Sequence, residues 1–201
     1  MNGQETEAKF YVKDLSKIKW RLHELKAELI QPRIHETNLR FDTVARDLRN
    51  AGRVLRLRQD DRARMTYKGP SDKTEGVMSR EEIEFIVEDF ERAKGFIEAL
   101  GYQVMVFYEK FRATYQLEDA HIMLDELPYG EFVEIEGKDI SSVKKIAANL
   151  RLRWDAAIAK SYQALFESVA GARGLNKGQL SFDVFEGGKP SAGELGVIEA
   201  D

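Results

Sequence analysis

The chain of 201 residues contains no cysteine. That absence excludes a disulfide scaffold, a thiolate zinc site and a cysteine nucleophile. No apolar run approaches the ~18 residues of a membrane helix, so an integral membrane protein is not expected. The start, MNGQETEAKF, lacks the basic and apolar regions of a signal peptide, which makes the cytoplasm the expected compartment. Glycine-rich phosphate loops of the GxGxxG and P-loop kinds are missing. No Ser or Thr sits in a nucleophile elbow, and His23, His35 and His121 have no metal-ligand spacing. A formal net charge of −4 also argues against nucleic acid as a partner. What the chain does have is charge in quantity, 33% of residues, beside 43% hydrophobic residues for a core.

The charges are patterned. Alternate side chains of a strand share a face, and eight segments follow that period. Glu5, Glu7 and Lys9 oppose Ala8, Phe10 and Val12; Glu36, Asn38, Arg40 and Asp42 oppose Leu39 and Phe41. Arg56 and Arg58 oppose Leu55 and Leu57; Arg64, Thr66 and Lys68 oppose Met65 and Tyr67. Arg80, Glu82 and Glu84 oppose Ile83, Phe85 and Val87; Lys110, Arg112 and Thr114 oppose Phe111, Ala113, Tyr115 and Leu117. His121, Met123 and Asp125 oppose Ile122 and Leu124, and Glu134 and Glu136 oppose Val133 and Ile135. Short turns such as RQDDRAR and LEDAH join these runs as antiparallel hairpins.

Helices lie between them. Asp14 caps a helix whose apolar positions run from Leu15 to Leu29, and Asp89 caps one that reaches Leu100 before Gly101. A third is predicted near Ser142 to Leu150 and a fourth from about Asp155 to Ser168. From Gly171 onward seven glycines break any apolar period, so residues 171–201 read as a largely flexible tail. Within it Leu180, Phe182, Val184 and Phe185 could dock as one short strand.

The expected fold is therefore α+β: an eight-stranded antiparallel β-barrel over residues 1–170 with helices packed outside. A half-buried sheet with an idle wet face would show the same alternation. Its polar positions, however, are mostly Glu, Asp, Arg and Lys, and eight strands is about the number that closes a small barrel. Charges packed inside a barrel are costly unless they pair or meet an ionic guest. Carboxylates at Glu5, Glu7, Glu82, Glu84, Asp125, Glu134 and Glu136 suit magnesium or manganese. Cations at Lys9, Arg56, Arg58, Lys68, Arg80, Lys110 and Arg112 suit phosphate oxygens. A metal-bound polyphosphate satisfies both sets, which points to phosphoanhydride chemistry.

The residues Glu5-Thr6-Glu7-Ala8-Lys9 match the ExExK signature of the CYTH, or triphosphate tunnel metalloenzyme, superfamily. LRLR at 55–58, YKGP at 67–70, REEIE at 80–84, EKFR at 109–112, LDE at 124–126 and EIEG at 134–137 follow in order. KSYQALF at 160–166 resembles the family's closing helix. The chain thus resembles that superfamily over roughly residues 4 to 168, most closely its class IV adenylyl cyclase and thiamine-triphosphatase branch. The resemblance implies a tunnel that binds a linear triphosphate with one or two divalent metals, Mg²⁺ or Mn²⁺. It implies metal ligation by Glu5, Glu7, Asp125, Glu134 and Glu136. Phosphates would be gripped by Lys9, Arg56, Arg58, Lys68, Arg80, Lys110, Arg112 and Lys160, with Lys9, Arg56 and Lys68 catalytic. Glu82 and Glu84 match a family strand without an assigned role.

Arg40 departs from the family pattern; it would either touch the non-phosphate part of a substrate or pair with Asp42 on the strand surface. Three functions follow from the resemblance: hydrolysis of a nucleoside, organic or inorganic triphosphate; cyclisation of ATP to cyclic AMP and pyrophosphate; or polyphosphate or nucleotide binding without turnover. The expected partner is a small triphosphate, with no membrane, and with homodimerisation left open.

Overall fold

The computed structural model describes residues 3–74, 77–185 and 187–201, with side chains from Thr6 onward except at 72–78. In chain order the elements are β1 (Gly3–Val12), α1 (Leu15–Glu24), β2 (Glu28–Asp42), α2 (Asp47–Asn50), β3 (Val54–Gln59), β4 (Ala63–Thr74) and β5 (Val77–Val87). There follow α3 (Phe90–Ala99), β6 (Gln103–Leu117), β7 (Ala120–Leu127), β8 (Gly130–Gly137) and α4 (Ile140–Asn149). The chain ends with α5 (Tyr162–Arg173), β9 (Gln179–Leu180) and α6 (Ala192–Leu195).

Strands β2, β3, β4, β5, β1, β8, β7 and β6 lie side by side in that order, and β6 pairs back to β2, so the sheet closes on itself. Every pairing around this ring is antiparallel. Closure gives each strand an inner and an outer face, and the two-residue period assigns the side chains. Ala8, Phe10, Val12, Ile122, Leu124, Val133 and Ile135 point outward, beneath Ile18 and Leu22 of α1 and Val143, Ile146 and Ala147 of α4. Ile97 of α3 covers Phe41 and Leu57 on the opposite wall.

The ladder sets the interior charges against one another. Lys9 faces Glu134, Lys68 faces Glu82, Lys110 faces Glu36 and Arg112 faces Asp125 across neighbouring strands. Opposite charges in directly facing positions stabilise a sheet and like charges weaken it. Three registers break the pattern: Glu7 faces Glu136, Arg40 faces Arg56 and Arg58 faces Arg64.

The helix starts follow their caps. Asp14 accepts from the Ser16 amide, Asp89 from Arg92 and Asp139 from Ser142. Two expected helix limits differ. The first helix stops at Glu24, where Leu25 caps it and Lys26 takes a φ of 57°, so Leu29 belongs to β2 instead. The fourth begins at Tyr162 under a Ser161 cap, because the Ile158 amide donates to the Lys9 carbonyl and holds the preceding segment extended. The short α2 was not foreseen.

The residues after Gly171, expected to form a flexible tail, are laid against the barrel. Leu180, Phe185 and Leu195 are buried with Tyr129, Phe132 and Phe166 in a second core cluster. β9 runs parallel to β6 at Phe107 and Tyr108, and the Ala200 amide donates to the Tyr11 carbonyl. The glycines have local jobs here. Gly174 ends α5 in the left-handed region at φ +66°. A Cβ on Gly178 would lie 2.8 Å from the Met105 carbonyl oxygen, so only glycine lets this segment approach β6.

Candidate functional site

The barrel encloses a cavity of about 580 Å³, within the range of small-molecule sites. Nine basic side chains line it: Lys9, Arg40, Arg56, Arg58, Lys68, Arg80, Lys110, Arg112 and Lys160. Five carboxylates, Glu7, Glu82, Glu84, Glu134 and Glu136, line it as well. A chain that is acidic overall thus has a basic interior. Ser161, Tyr162 and Gln163, at the start of α5, close one side.

At the acidic side Lys9 is 4% exposed and sits between two carboxylates. It contacts Glu7 on its own strand and Glu134 at 3.2 Å on the next. Burial alone would lower the Lys9 pKa, but Glu134 and Glu7 outweigh it and hold the ammonium above its usual range. Glu134 is the mirror image: burial raises it, and Lys9, Arg112, Lys110 and Lys68 bring it well below the ordinary carboxylate value.

Behind the lining stand two fully buried acids. Asp125 accepts both forks of Arg112, at 2.6 Å each, and also takes Lys110 at 3.2 Å and the Tyr162 hydroxyl at 2.8 Å. Glu36 accepts from the Asn38 amide and lies 3.6 Å from Lys110 and 3.8 Å from Arg58. Burial pushes the Glu36 carboxyl up, yet Lys110, Arg112, Arg58 and Arg56 carry it far below normal. On the far wall Glu84 receives Arg58 at 2.9 Å and Arg56 at 3.3 Å, with the Thr66 hydroxyl at 2.8 Å. Glu82 receives Lys68 at 2.8 Å.

Among the described residues Nε of Arg56 is buried without a hydrogen-bond partner, whereas Nε of Arg58, which makes no aligned hydrogen bond, lies 3.3 Å from the Asp60 carboxylate. A buried donor left unpaired is costly, so the wall is finished only when a ligand or solvent oxygen arrives.

All the predicted phosphate-gripping residues meet in this one cavity. So do Glu7, Glu134, Glu136, Glu82, Glu84 and Arg40. Asp125 does not reach the lining, and its acceptor positions are taken by Arg112, Lys110 and Tyr162. Glu5 lies on β1, with its side chain outside the described residues. Arg40 does not pair with Asp42, whose carboxylate instead accepts the backbone amides of Thr43, Leu48 and Arg49 at the start of α2. Among the described residues no three of His, Cys, Asp and Glu form a ready metal centre. Glu7 and Glu136 nevertheless face each other two positions from Glu134 along the β1–β8 ladder, an all-oxygen set of the hard-cation type.

Four residues of the site carried little sequence signal. Glu36 stood only as one polar position of a strand, and Tyr108, Tyr162 and Gln163 belong to no charge pattern. Tyr108 lines the cavity next to Arg56; burial raises its phenol, but Arg56 and Lys110 bring it below the usual tyrosine value.

The chain matches the CYTH domain family over residues 3–160. This chain belongs to the CYTH family. A Methanocaldococcus jannaschii relative named "putative adenylate cyclase" is 32% identical over 174 residues, covering 80% of this chain and 97% of the relative. The solved structure of a "putative adenylate cyclase" from Vibrio parahaemolyticus superposes with a TM-score of 0.71 at 22% identity, over 81% of this chain and 97% of that one. A Hippeastrum protein, described as a "putative adenylyl cyclase" with a dominant triphosphatase activity, gives 0.63 at 21% identity over 82% and 95%. The last two likenesses establish the CYTH fold, with its ring of strands and helices outside.

Proposed function

We propose that the tunnel binds the linear triphosphate of a small molecule and cleaves a phosphoanhydride bond by hydrolysis. The observation that carries this reading is the convergence of nine basic side chains on one cavity, with Nε of Arg56 buried and without a hydrogen-bond partner among the described residues. Such donors call for several oxyanions in a row. A carboxylate ligand would leave most of the cations unused.

In this reading Arg56, Arg58, Lys68, Arg80, Lys110 and Arg112 grip non-bridging oxygens, with Lys160 at the edge beside α5. Asp125 and Glu36 hold Arg112, Lys110 and Arg58 from behind, so the grip is set before substrate arrives. Preorganised cations of this kind stabilise the charge that grows on the departing phosphate. Water oxygen bonds to the terminal phosphorus, the bridging P–O bond breaks, and the released proton passes to solvent or a neighbouring carboxylate. A divalent cation, Mg²⁺ or Mn²⁺, would be held by Glu7, Glu134 and Glu136 and would neutralise phosphate charge. Lys9 offsets one of those three negative charges and faces the phosphate chain.

Cyclisation of ATP is the second reading, supported by the name carried by the M. jannaschii relative. The activity described for the Hippeastrum protein supports hydrolysis. Phosphorus NMR of products from ATP and from tripolyphosphate, under magnesium and manganese, separates them. Orthophosphate with ADP or pyrophosphate supports hydrolysis; cyclic AMP with pyrophosphate supports the cyclase. No turnover under either metal would leave a polyphosphate-binding module.

A further inference from the structure

A second cavity of about 390 Å³ adjoins the tunnel, and Arg40, Val54, Ser161, Gln163 and Ala164 line both. Three further arginines, Arg46, Arg49 and Arg53, line the second chamber alone. Its two acids are already committed. Asp42 is bound by three backbone amides, and Glu167 takes both forks of Arg49, at 2.9 and 2.8 Å. Among the described residues no carboxylate pairs with the guanidinium groups of Arg40, Arg46 or Arg53.

Arg40 differs from the other arginine pair that faces across the wall, Arg58 and Arg64, which share Glu84. Its ladder partner is Arg56, a like charge. Like charges in facing positions weaken a sheet unless something anionic lies between or beside them. Burial lowers the Arg40 pKa, and Arg80, Arg56 and Arg49 lower it further. Gln163, which lines both cavities, adds a second observation. It is 7% exposed, its amide nitrogen donates to Glu167 and to the Lys177 carbonyl, and its Oε1 has no hydrogen-bond partner among the described residues. That oxygen belongs to a residue shared by both cavities and calls for a protonated or hydrated ligand.

We propose that this arginine chamber is a second phosphate-oxyanion site, continuous with the tunnel through Arg40. The phosphate comes either from a chain longer than three phosphates, threaded past Arg40, or from a separate orthophosphate ion. The first source rests on the tunnel being a triphosphate site.

The test is calorimetric titration of the full chain in EDTA, so that nothing turns over. Tripolyphosphate, tetrapolyphosphate and orthophosphate are each titrated into wild type, Arg46→Ala/Arg53→Ala and Arg56→Ala. Arg46 and Arg53 are exposed, so their replacement spares the core; Arg53→Lys serves as the conservative control. A chain-extension site gives a tetra-over-tri affinity ratio of roughly tenfold, the worth of one charge-assisted contact. That ratio falls to about one in the double variant. A separate-ion site gives no such ratio; instead, orthophosphate binds the tripolyphosphate-loaded protein and the double variant loses it. A ratio near one together with no orthophosphate binding overturns the proposal. If tripolyphosphate fails to bind wild type and Arg56→Ala changes nothing, the tunnel reading fails by itself. Orthophosphate binding to the unloaded protein then decides the chamber: lost in the double variant, it stands; absent or unaltered, it falls.

Discussion

Arg112 donates both arms of its guanidinium to Asp125, at 2.6 Å each, across the β6–β7 ladder. Asp125 has no exposed surface, and it also holds Lys110 and the Tyr162 hydroxyl of α5. One carboxylate therefore fixes two cations of the tunnel and ties the closing helix to the barrel.

Replacing Asp125 should thus cost stability and function together. Removing one partner of a buried ion pair leaves the others uncompensated, at about 3–5 kcal/mol. We predict that Asp125→Ala lowers the unfolding free energy in urea by about that amount. A change below about 1 kcal/mol would mean that water takes over the role of Asp125.

Lys9 should matter to turnover far more than to folding. It sits between Glu7 and Glu134 on the tunnel side of β1. Lys9→Ala is expected to cut turnover roughly 10²-fold or more, as loss of a transition-state donor does, with a retained circular dichroism spectrum. An unaltered rate would remove Lys9 from the mechanism.

Acid should unfold the protein in a defined window. Glu36 and Glu134 have folded-state pKa values below their unfolded value of about 4.3. A depressed carboxylate contributes stability that is complete above the unfolded pKa and is lost as pH falls through the folded one. Lys9 is raised, so its contribution is complete below its unfolded value of about 10.4 and is lost only above it. The urea midpoint should therefore stay level from about pH 5.5 to 9 and fall steeply below about pH 4. Glu36→Gln should flatten the acid limb. An acid limb that is unchanged in this variant would exclude Glu36 as its source.

The strand alternation was enough to show which faces turn inward, because closure leaves each side chain only two choices. It could not show which polar residues stand behind the lining. Glu36 meets Lys110 only because β2 closes onto β6, a pairing between residues more than seventy positions apart. The family resemblance gave Asp125 as a metal ligand; the ladder sets it opposite Arg112, a pairing that no local pattern carries. Leu29 fits a helical spacing equally well, but the turn at Lys26 had already ended the helix. In the last thirty residues the glycines hid the docking. At Gly178 the close approach is to the Met105 carbonyl of β6, a surface that no local pattern carries.

That docking reverses one expectation. From the sequence, a stop after residue 170 should leave activity intact. The stop would remove Leu180, Phe185 and Leu195, uncovering Tyr129 and Phe166. Losing three buried side chains costs on the order of 5 kcal/mol. We predict that residues 1–170 melt far below the full chain or fail to fold, as read by thermal unfolding. A near-native melt would show that α5 alone covers this side of the barrel.

The acidic side of the tunnel yields the last prediction. Glu7 and Glu136 face each other across β1 and β8, and Glu134 lies two positions along β8. Three carboxylates share one wall, and Lys9 bridges Glu7 and Glu134. Facing like charges are tolerated where a cation can enter between them. In the proposed reaction that cation is divalent, so Glu136→Gln should raise the magnesium or manganese concentration at half-maximal rate by roughly tenfold, the scale of losing one metal-site group. Glu134→Gln should do the same and also weaken its 3.2 Å contact with Arg112, which Asp125 continues to hold, so its KM for tripolyphosphate should change as well. Calorimetric titration of each metal into the substrate-free protein gives the same comparison without turnover. A metal isotherm unchanged by Glu136→Gln would take Glu136 out of the ligand set.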